Sequence, residues 1–246
     1  MNFVILILTL AGLNLMNNAE PLLVDTEALN GAWEANYVDD NGKAIRIVAI
    51  VSDGYYTSTA FGADDGSFEN TNGGLIELSG NAFKMTYEFN LAEKEKVGTS
   101  ETLTAHLNDD VLTFEGYEDM EWNRIDDGNP GELYGAWLIT GRERNGEISR
   151  STPGARKTMK ILSGTRFQWI AYNTDTGEFF GTGGGTYTTE NGKYTENIEF
   201  FSRDNSRVGR SLRFEYEIKD GEWHHSGLSS KGEPIYEIWT SRADLD

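Results

Sequence analysis

Three titratable side chains in the second half of the chain are candidates for joint acid–base chemistry: Glu196, His225 and Glu237. Two carboxylates that converge on a substrate can supply a general acid and a general base, and an imidazole titrates near neutral pH. In the internal repeat described next, these three residues replace apolar residues of the first half. An ionised carboxylate is unfavourable in an apolar interior unless it is paired, so three such replacements indicate a polar pocket.

The repeat is a tandem duplication of most of the chain. A Gly-Ala-Trp tripeptide opens each copy, at Gly31 and at Gly135, and after the first strand the offset between the copies grows from 104 to 111 residues. At the larger offset, the glycine-rich stretch 179–187 matches 68–76. We therefore expect a first domain over 28–125 and a second over 132–244.

Hydrophobicity alternates with a period of two in both copies, and turn residues recur at short intervals. This pattern predicts eight short strands in each copy. In the second copy we expect them near 136–141, 157–162, 166–172, 179–189, 193–201, 210–218, 222–226 and 235–241. Eight consecutive antiparallel strands favour a closed up-and-down barrel, because closure removes exposed edges. The fold predicted is therefore all-β, with two tandem barrels; a β-sandwich and one larger barrel are the alternatives.

Alternation in the fifth strand suggests which side chains point into the barrels. In the first copy, the residues of one face are all apolar: Phe83, Met85, Tyr87 and Phe89. Residues two apart share a face of a strand, so this set should line the interior. The same frame points Tyr194, Glu196, Ile198 and Phe200 into the second barrel, and Glu196 takes the place of Met85.

The last two strands give the other two replacements. His225 matches Phe114 and should face inward, so the adjacent His224 should face outward. Glu237 matches Met120 after a further insertion. We expect aromatic walls around these groups from Trp137, Tyr216, Trp223 and Trp239. On the second strand, Lys157 matches Arg46 and is expected to be an inward cation, serving either as a structural partner of an interior carboxylate or as a contact for a ligand.

The Gly-Ala-Trp openings, the eight short strands and a late aromatic strand resemble the lipocalin-like domains of secreted bacterial proteins. The resemblance covers residues 28–244 and is closer for the second copy. It implies a barrel with an interior cavity for a small ligand, and it implies no catalytic residue.

Composition limits the partners and the compartment. The chain has a formal net charge of −19, which disfavours nucleic acid as a partner, and it has no cysteine for disulfides or thiolate chemistry. The apolar run after Met1 is too short to span a membrane and suits a signal peptide over 1–19, which predicts a secreted or periplasmic protein without a membrane span. Neither a metal site nor a cofactor motif is expected.

These observations favour an exported protein that binds a small polar or amphipathic ligand in the second barrel. Aromatic faces combined with a few carboxylates suit a sugar or another polar ring. One alternative is an enzyme on a small sugar or uronate, in which Glu196 and Glu237 act as acid and base and His225 assists. Another alternative is a surface-interaction module whose barrels are filled by their own side chains.

Overall fold

The computed structural model describes residues 26–129 and 131–245, so the expected signal peptide over 1–19 lies outside the described residues. The first half begins with one helical turn and continues with eight antiparallel strands that close into a barrel. These elements are α1 (Thr26–Leu29), β1 (Gly31–Val38), β2 (Ala44–Ser52), β3 (Tyr55–Gly62), β4 (Phe68–Ser79), β5 (Ala82–Asn90), β6 (Ser100–Asn108), β7 (Val111–Phe114) and β8 (Trp122–Asp126).

The second half repeats this barrel and adds one strand. Its strands are β9 (Gly135–Arg144), β10 (Glu147–Arg150), β11 (Arg156–Leu162), β12 (Arg166–Asn173), β13 (Phe179–Glu190), β14 (Lys193–Phe201), β15 (Ser211–Lys219), β16 (Glu222–Leu228) and β17 (Pro234–Ser241). Pairing of β17 with β9 closes the eight-stranded ring, and β10 pairs with β9 alone. The prediction of two tandem antiparallel barrels is confirmed, and β10 lies within the insertion that shifts the repeat offset.

Each barrel is plugged at one end by the residues that precede its first strand. The indole of Trp33 donates a hydrogen bond to the carbonyl of Leu29, and Trp137 donates in the same way to Leu133. Both leucines are fully buried. The Gly-Ala-Trp signature therefore places a tryptophan at the plugged end of each barrel. We call this end the floor and the opposite end the mouth.

A β-bulge in the same place in both barrels turns the end of the fifth strand outward. The register shifts between Gly73 and Gly74 in the first barrel and between Gly184 and Gly185 in the second. A side chain at Gly185 would collide with the backbone carbonyl of Asn197, which explains the glycine. The glycine-rich stretch is thus part of the scaffold.

Because of this bulge, two side chains that were expected to point into the barrels point elsewhere. Phe89 does not line the first barrel but packs on Tyr172 of the second, with ring centroids 5.0 Å apart. Phe200 likewise packs on Phe61 of the first barrel, also at 5.0 Å. Because an extra residue in a strand reverses the alternation beyond it, each phenylalanine leaves its own interior and enters the interface between the barrels.

The two barrels are related by a pseudo-two-fold axis. At the offset of 111, the contact of Phe61 with Phe200 is the counterpart of the contact of Tyr172 with Phe89. Equivalent residues Phe68 and Phe179 stack on each other at 6.1 Å, as residues beside such an axis do. The cores of the two halves are also joined, because Ile50 and Tyr55 share one buried cluster with Met159 and Ile161.

Buried charges reinforce this interface. The Glu88 carboxylate accepts hydrogen bonds from the Arg242 guanidinium at 2.6 and 3.0 Å and from the Tyr172 hydroxyl at 2.6 Å. Burial would raise the pKa of Glu88, but the bonds from Arg242 and Tyr172 outweigh it and lower the pKa. The 3-10 turn Arg242–Asp244 therefore fastens the end of the second barrel to the first.

The axis runs along the barrels, so their mouths open on the same side of the molecule. Phe68 and Phe179, which stack at the axis, each begin a strand at the mouth end. At the floor end, the Asp53 carboxylate accepts from the backbone of Ala136 at 3.3 Å. The two interiors are thus presented side by side with the same orientation.

Candidate functional site

The interior of the second barrel contains a buried ion pair between Lys160 and Glu196. The Lys160 ammonium donates to a Glu196 carboxylate oxygen at 2.8 Å, and the two side chains are only 6% and 5% exposed. The same ammonium lies 4.8–5.2 Å from the ring centroids of Tyr194, Trp223 and Trp239. Both charges are therefore compensated, the cation by a carboxylate and by aromatic faces.

A second polar pair lies beside the first. The Nδ1 atom of His225 is 3.5 Å from a Glu237 carboxylate oxygen, and Arg142 approaches the other oxygen of Glu237, also at 3.5 Å. His225 and Glu237 face each other directly across β16 and β17. The carboxylate is thus placed to orient the imidazole and to leave its Nε2 atom for another partner.

The protonation of this pair follows from burial and neighbouring charges. Burial lowers the pKa of His225, Lys160 lowers it further, and the carboxylates of Glu237 and Glu196 only partly offset these effects. Burial would raise the pKa of Glu237, but His225, Lys160 and Arg142 together lower it. At neutral pH the site therefore contains a neutral imidazole and an ionised Glu237.

Four nitrogen atoms in this interior have no hydrogen-bond partner among the residues that the structure describes. They are the indole Nε1 atoms of Trp223 and Trp239 and both ring nitrogens of His225, whose Nδ1 atom approaches Glu237 only at 3.5 Å. All three side chains are no more than 2% exposed. Buried polar groups are nearly always hydrogen-bonded, to protein, ordered water or a ligand. The two indole N–H groups therefore need acceptors, whereas the Nε2 lone pair of a neutral His225 that donates from Nδ1 needs a donor.

Some side chains around this interior are partly exposed. Several apolar side chains that pack on the interior cluster are only partly buried, namely Ile139, Trp169, Phe201, Leu212 and Ile235. The Glu237 side chain is 17% exposed.

The other sequence-predicted site residues lie in different places. Trp137 belongs to the floor, and Tyr216 donates its hydroxyl to Glu132 at the floor end. His224 bonds the Tyr236 hydroxyl through Nδ1 at 2.7 Å, outside the interior cluster. The structure thus brings Glu196, His225, Glu237, Trp223 and Trp239 together and leaves Trp137 and Tyr216 at the floor.

The expectation for Lys157 and Arg46 was wrong. Both side chains face the opposite barrel, where Lys157 approaches Glu88 at 4.0 Å and Arg46 approaches Glu199 at 3.2 Å. These two contacts are equivalent under the pseudo-two-fold axis. The inward cation is Lys160, which lies on the other face of β11.

Lys160 is the interior charged residue that was not predicted from the sequence. At the offset of 111 it matches Ala49, as Glu196 matches Met85 and His225 matches Phe114. Ala49, Met85 and Phe114 all pack on the apolar core of the first barrel. The repeat itself therefore contained the signal, since the interior cation and carboxylate appear together in the second copy and are absent together from the first.

Two pockets lie outside the interior of the second barrel, and neither contains the Lys160–Glu196 or His225–Glu237 pair. A wide cleft of about 820 Å³ at the floor end is lined by Glu132, Tyr216 and Glu217, and a small one lies between the barrels beside Arg166 and Glu199.

Within residues 26–129 and 131–245, no cluster of three or more metal-ligand side chains occurs. In the same ranges, no helix has the length and apolar character needed to cross a membrane.

Comparison with known proteins adds one family and no function. No curated protein matches the chain. A solved structure described as the Helicobacter pylori beta clamp bound to a DNA ligase peptide is 6% identical, with a TM-score of 0.15; the alignment covers 89% of this chain and 60% of that one. The chain thus spans less than two thirds of that protein, and a likeness this weak supports no inference. Residues 132–244, the second barrel, match the family model of a domain of unknown function, DUF4488.

Proposed function

We propose that the protein binds a small polar or amphipathic ligand inside the second barrel. The observation that carries this proposal is the set of unpartnered polar groups around the Lys160–Glu196 pair, the indole N–H groups of Trp223 and Trp239 and the imidazole of His225. A filled core would pair or exclude such groups, because each buried unsatisfied polar group costs about 1–3 kcal/mol. Aromatic faces with a few placed polar groups are the usual lining of a small-molecule site.

The first barrel supports the proposal by contrast. Its interior has the same strands and the same floor tryptophan, but Ala49, Met85 and Phe114 replace the polar residues. A barrel with these strands can therefore form with apolar residues at all three positions. Their concentration in one copy is explained by a task that only this copy performs.

The test is a binding screen that compares the natural protein with a variant whose second barrel has the interior residues of the first. The full chain is mixed with monosaccharides, uronates, amino acids and small aromatic acids, and complexes are detected by native mass spectrometry. The triple variant Lys160→Ala, Glu196→Met, His225→Phe should lose the complexes that the natural protein forms. A control variant, Lys84→Ala, removes an exposed cation from the first barrel and should retain them.

Two results would contradict the proposal. One is the absence of any complex over the whole panel, which would favour the interaction module with filled barrels. The other is equal binding by the natural protein and the triple variant, which would move the ligand to another surface.

The second candidate function is an enzyme, and the pairing of His225 with Glu237 favours it. A neutral imidazole that is oriented by a carboxylate and has Nε2 unpartnered is the arrangement of a general base. Glu196 accepts a hydrogen bond from Lys160, so it is better placed to hold this cation than to donate a proton. Incubation with the panel should then give products that His225→Phe abolishes; unchanged turnover in this variant would remove His225 from the mechanism.

We also propose that the protein is exported and related to the lipocalin-like domains. The apolar N-terminal segment and the two eight-stranded barrels support this view. Intact mass measurement of the protein recovered from a secreting bacterial host should show a chain that starts after Ala19. A full-length cytoplasmic product would contradict export.

A further inference from the structure

We infer that the ligand of the second barrel is an organic anion, with a uronate or a similar ring carboxylate as the best chemical match. This inference rests on the proposed function, because it concerns the charge of a ligand in the same interior. It is carried by two independent observations, the type of the unpartnered groups and the charge of the mouth.

The unpartnered groups call for hydrogen-bond acceptors. An indole N–H can only donate, so Trp223 and Trp239 each need an acceptor oxygen or its equivalent. The Lys160 ammonium has three donors, and one of them is directed to Glu196. The described residues of the second barrel therefore leave the indole N–H groups of Trp223 and Trp239 without acceptors, which carboxylate and hydroxyl oxygens could supply.

The interior adds no net charge that would repel an anion. Lys160 is balanced by Glu196, and Arg142 is placed against Glu237. His225 is neutral at pH 7, for the reasons given above. An entering carboxylate therefore meets paired carboxylates, each already held by a cation.

The mouth of the second barrel carries no excess of acidic residues although the chain as a whole is acidic. The segments that connect its strands at this end, counted with the adjoining strand residues over 142–157, 172–179, 201–211 and 226–238, contain nine basic and seven acidic residues. Two of the nine are engaged elsewhere, Lys157 with Glu88 of the first barrel and Arg150 with Glu222. The equivalent segments of the first barrel, 38–46, 61–68, 90–100 and 115–121, contain four basic and ten acidic residues. Since both mouths open on the same side, an anion is directed to the second barrel and away from the first.

Two of these basic residues are suitable for mutation. Arg156 begins β11 at the mouth, is exposed and lies over the Phe180 ring at 4.5 Å; Arg210 precedes β15 and donates to the Ser206 carbonyl. Neither has a salt bridge among the described residues. Arg213 provides the matched control, because it is an exposed arginine on β15 two residues into the strand, on the face opposite to Phe214.

The experiment is calorimetric titration of the full chain with D-glucuronate, D-glucose and D-glucosamine, and with benzoate, benzyl alcohol and benzylamine. Within each set, the anion should bind at least about tenfold more tightly than the neutral and cationic members at low salt. Arg156→Gln with Arg210→Gln should weaken anion binding by roughly threefold to tenfold, and this difference should fade at high salt. Arg213→Gln should leave the affinity unchanged.

The pH dependence of binding, which depends on protonation of His225, provides a further test of the inference. His225 is faced by Glu237, Glu196, Lys160 and Tyr194, and a bound anion would favour its charged form. The affinity for glucuronate should therefore rise as the pH falls from 7.5 to 5.5, and His225→Phe should remove this rise.

The outcomes separate the two claims. Equal or tighter binding of the neutral or cationic members would overturn the anion inference and leave the proposed function intact. Failure of all six compounds to bind would contradict both. Anion binding that Arg213→Gln weakens as much as the mouth variants would also overturn the inference, because the charge effect would then not be located at the mouth.

Discussion

The ammonium of Lys160 lies 2.8 Å from a carboxylate oxygen of Glu196 in the interior of the second barrel, at two positions where the first barrel has Ala49 and Met85. One duplication has thus given one molecule a polar interior and an apolar version of the same interior. The apolar version serves as an internal reference for each polar residue.

The first prediction concerns the stability of this pair. Lys160→Ala leaves a buried, unpaired carboxylate and should lower the free energy of unfolding by about 3–5 kcal/mol. Lys160→Ala with Glu196→Met restores the pairing of the first barrel and should recover most of the loss. Urea denaturation of both variants measures the difference; a double variant that is as unstable as Lys160→Ala alone would contradict the account.

The second prediction concerns the pH dependence that His225 confers. The pKa of His225 in the folded protein lies below its ordinary value of 6.5, so the unfolded chain binds the proton more readily. The contribution of His225 to stability is therefore complete above pH 6.5 and is lost as the pH falls below that value. His225→Phe should flatten the stability curve between pH 7 and 5.5, and an unchanged curve would show that His225 is not held neutral.

The strands and the location of the site could be predicted from the sequence to a large extent. Alternation and turn residues place the strands of the second copy within a few residues of those observed, and the repeat offset directs attention to Glu196 and His225. In β14, a clear alternation before the bulge shows which side chains face inward.

Lys160 was missed for a physical reason. Both faces of β11 are buried, one in the barrel and the other against the first barrel, so Met159 and Ile161 look like an interior face. When both faces of a strand are buried, neither face is polar, so the sequence does not show which face points into the barrel. The contact of Glu88 with Arg242 was not predictable either, because the packing of two barrels is not encoded in the period of either strand.

The third prediction tests the interface between the barrels. Arg242→Met removes the principal cation from Glu88 and should destabilise the protein by about 3–5 kcal/mol, because a buried carboxylate is left without its main partner. Chemical denaturation monitored by tryptophan fluorescence measures the loss. Glu77→Gln breaks the exposed pair with Lys84 and should cost no more than about 0.5 kcal/mol, which provides the control.

Glu88 also makes this interface sensitive to acid. Its pKa is below the ordinary value of 4.5 in the folded protein, so its contribution to stability is present above pH 4.5 and is lost as the pH falls through the folded pKa. Glu88→Gln should reduce the acid-induced loss of stability below pH 4.5. If stability depends on pH in this variant as it does in the natural protein, Glu88 is not the group that makes the interface sensitive to acid.

The fourth prediction concerns the β-bulge of β14, which lies opposite Gly185 of β13. Gly185→Ala places a methyl group against the Asn197 carbonyl and should destabilise the protein by more than about 2 kcal/mol, since backbone atoms cannot move aside easily. Gly154→Ala adds the same methyl group in open space and should be neutral or slightly stabilising. Similar thermal midpoints for the two variants would show that the bulge tolerates a side chain.

The most direct test of the central claim is an NMR measurement of the indole N–H signals. The chain has six tryptophans, and single Trp→Phe variants assign their signals. Titration of the 15N-labelled protein with the tightest compound of the screen should shift the signals of Trp223 and Trp239. The signal of Trp33, whose indole is bonded to Leu29 in the first barrel, should stay in place. If the compound shifts Trp33, or leaves both Trp223 and Trp239 unmoved, the second barrel is not the binding site.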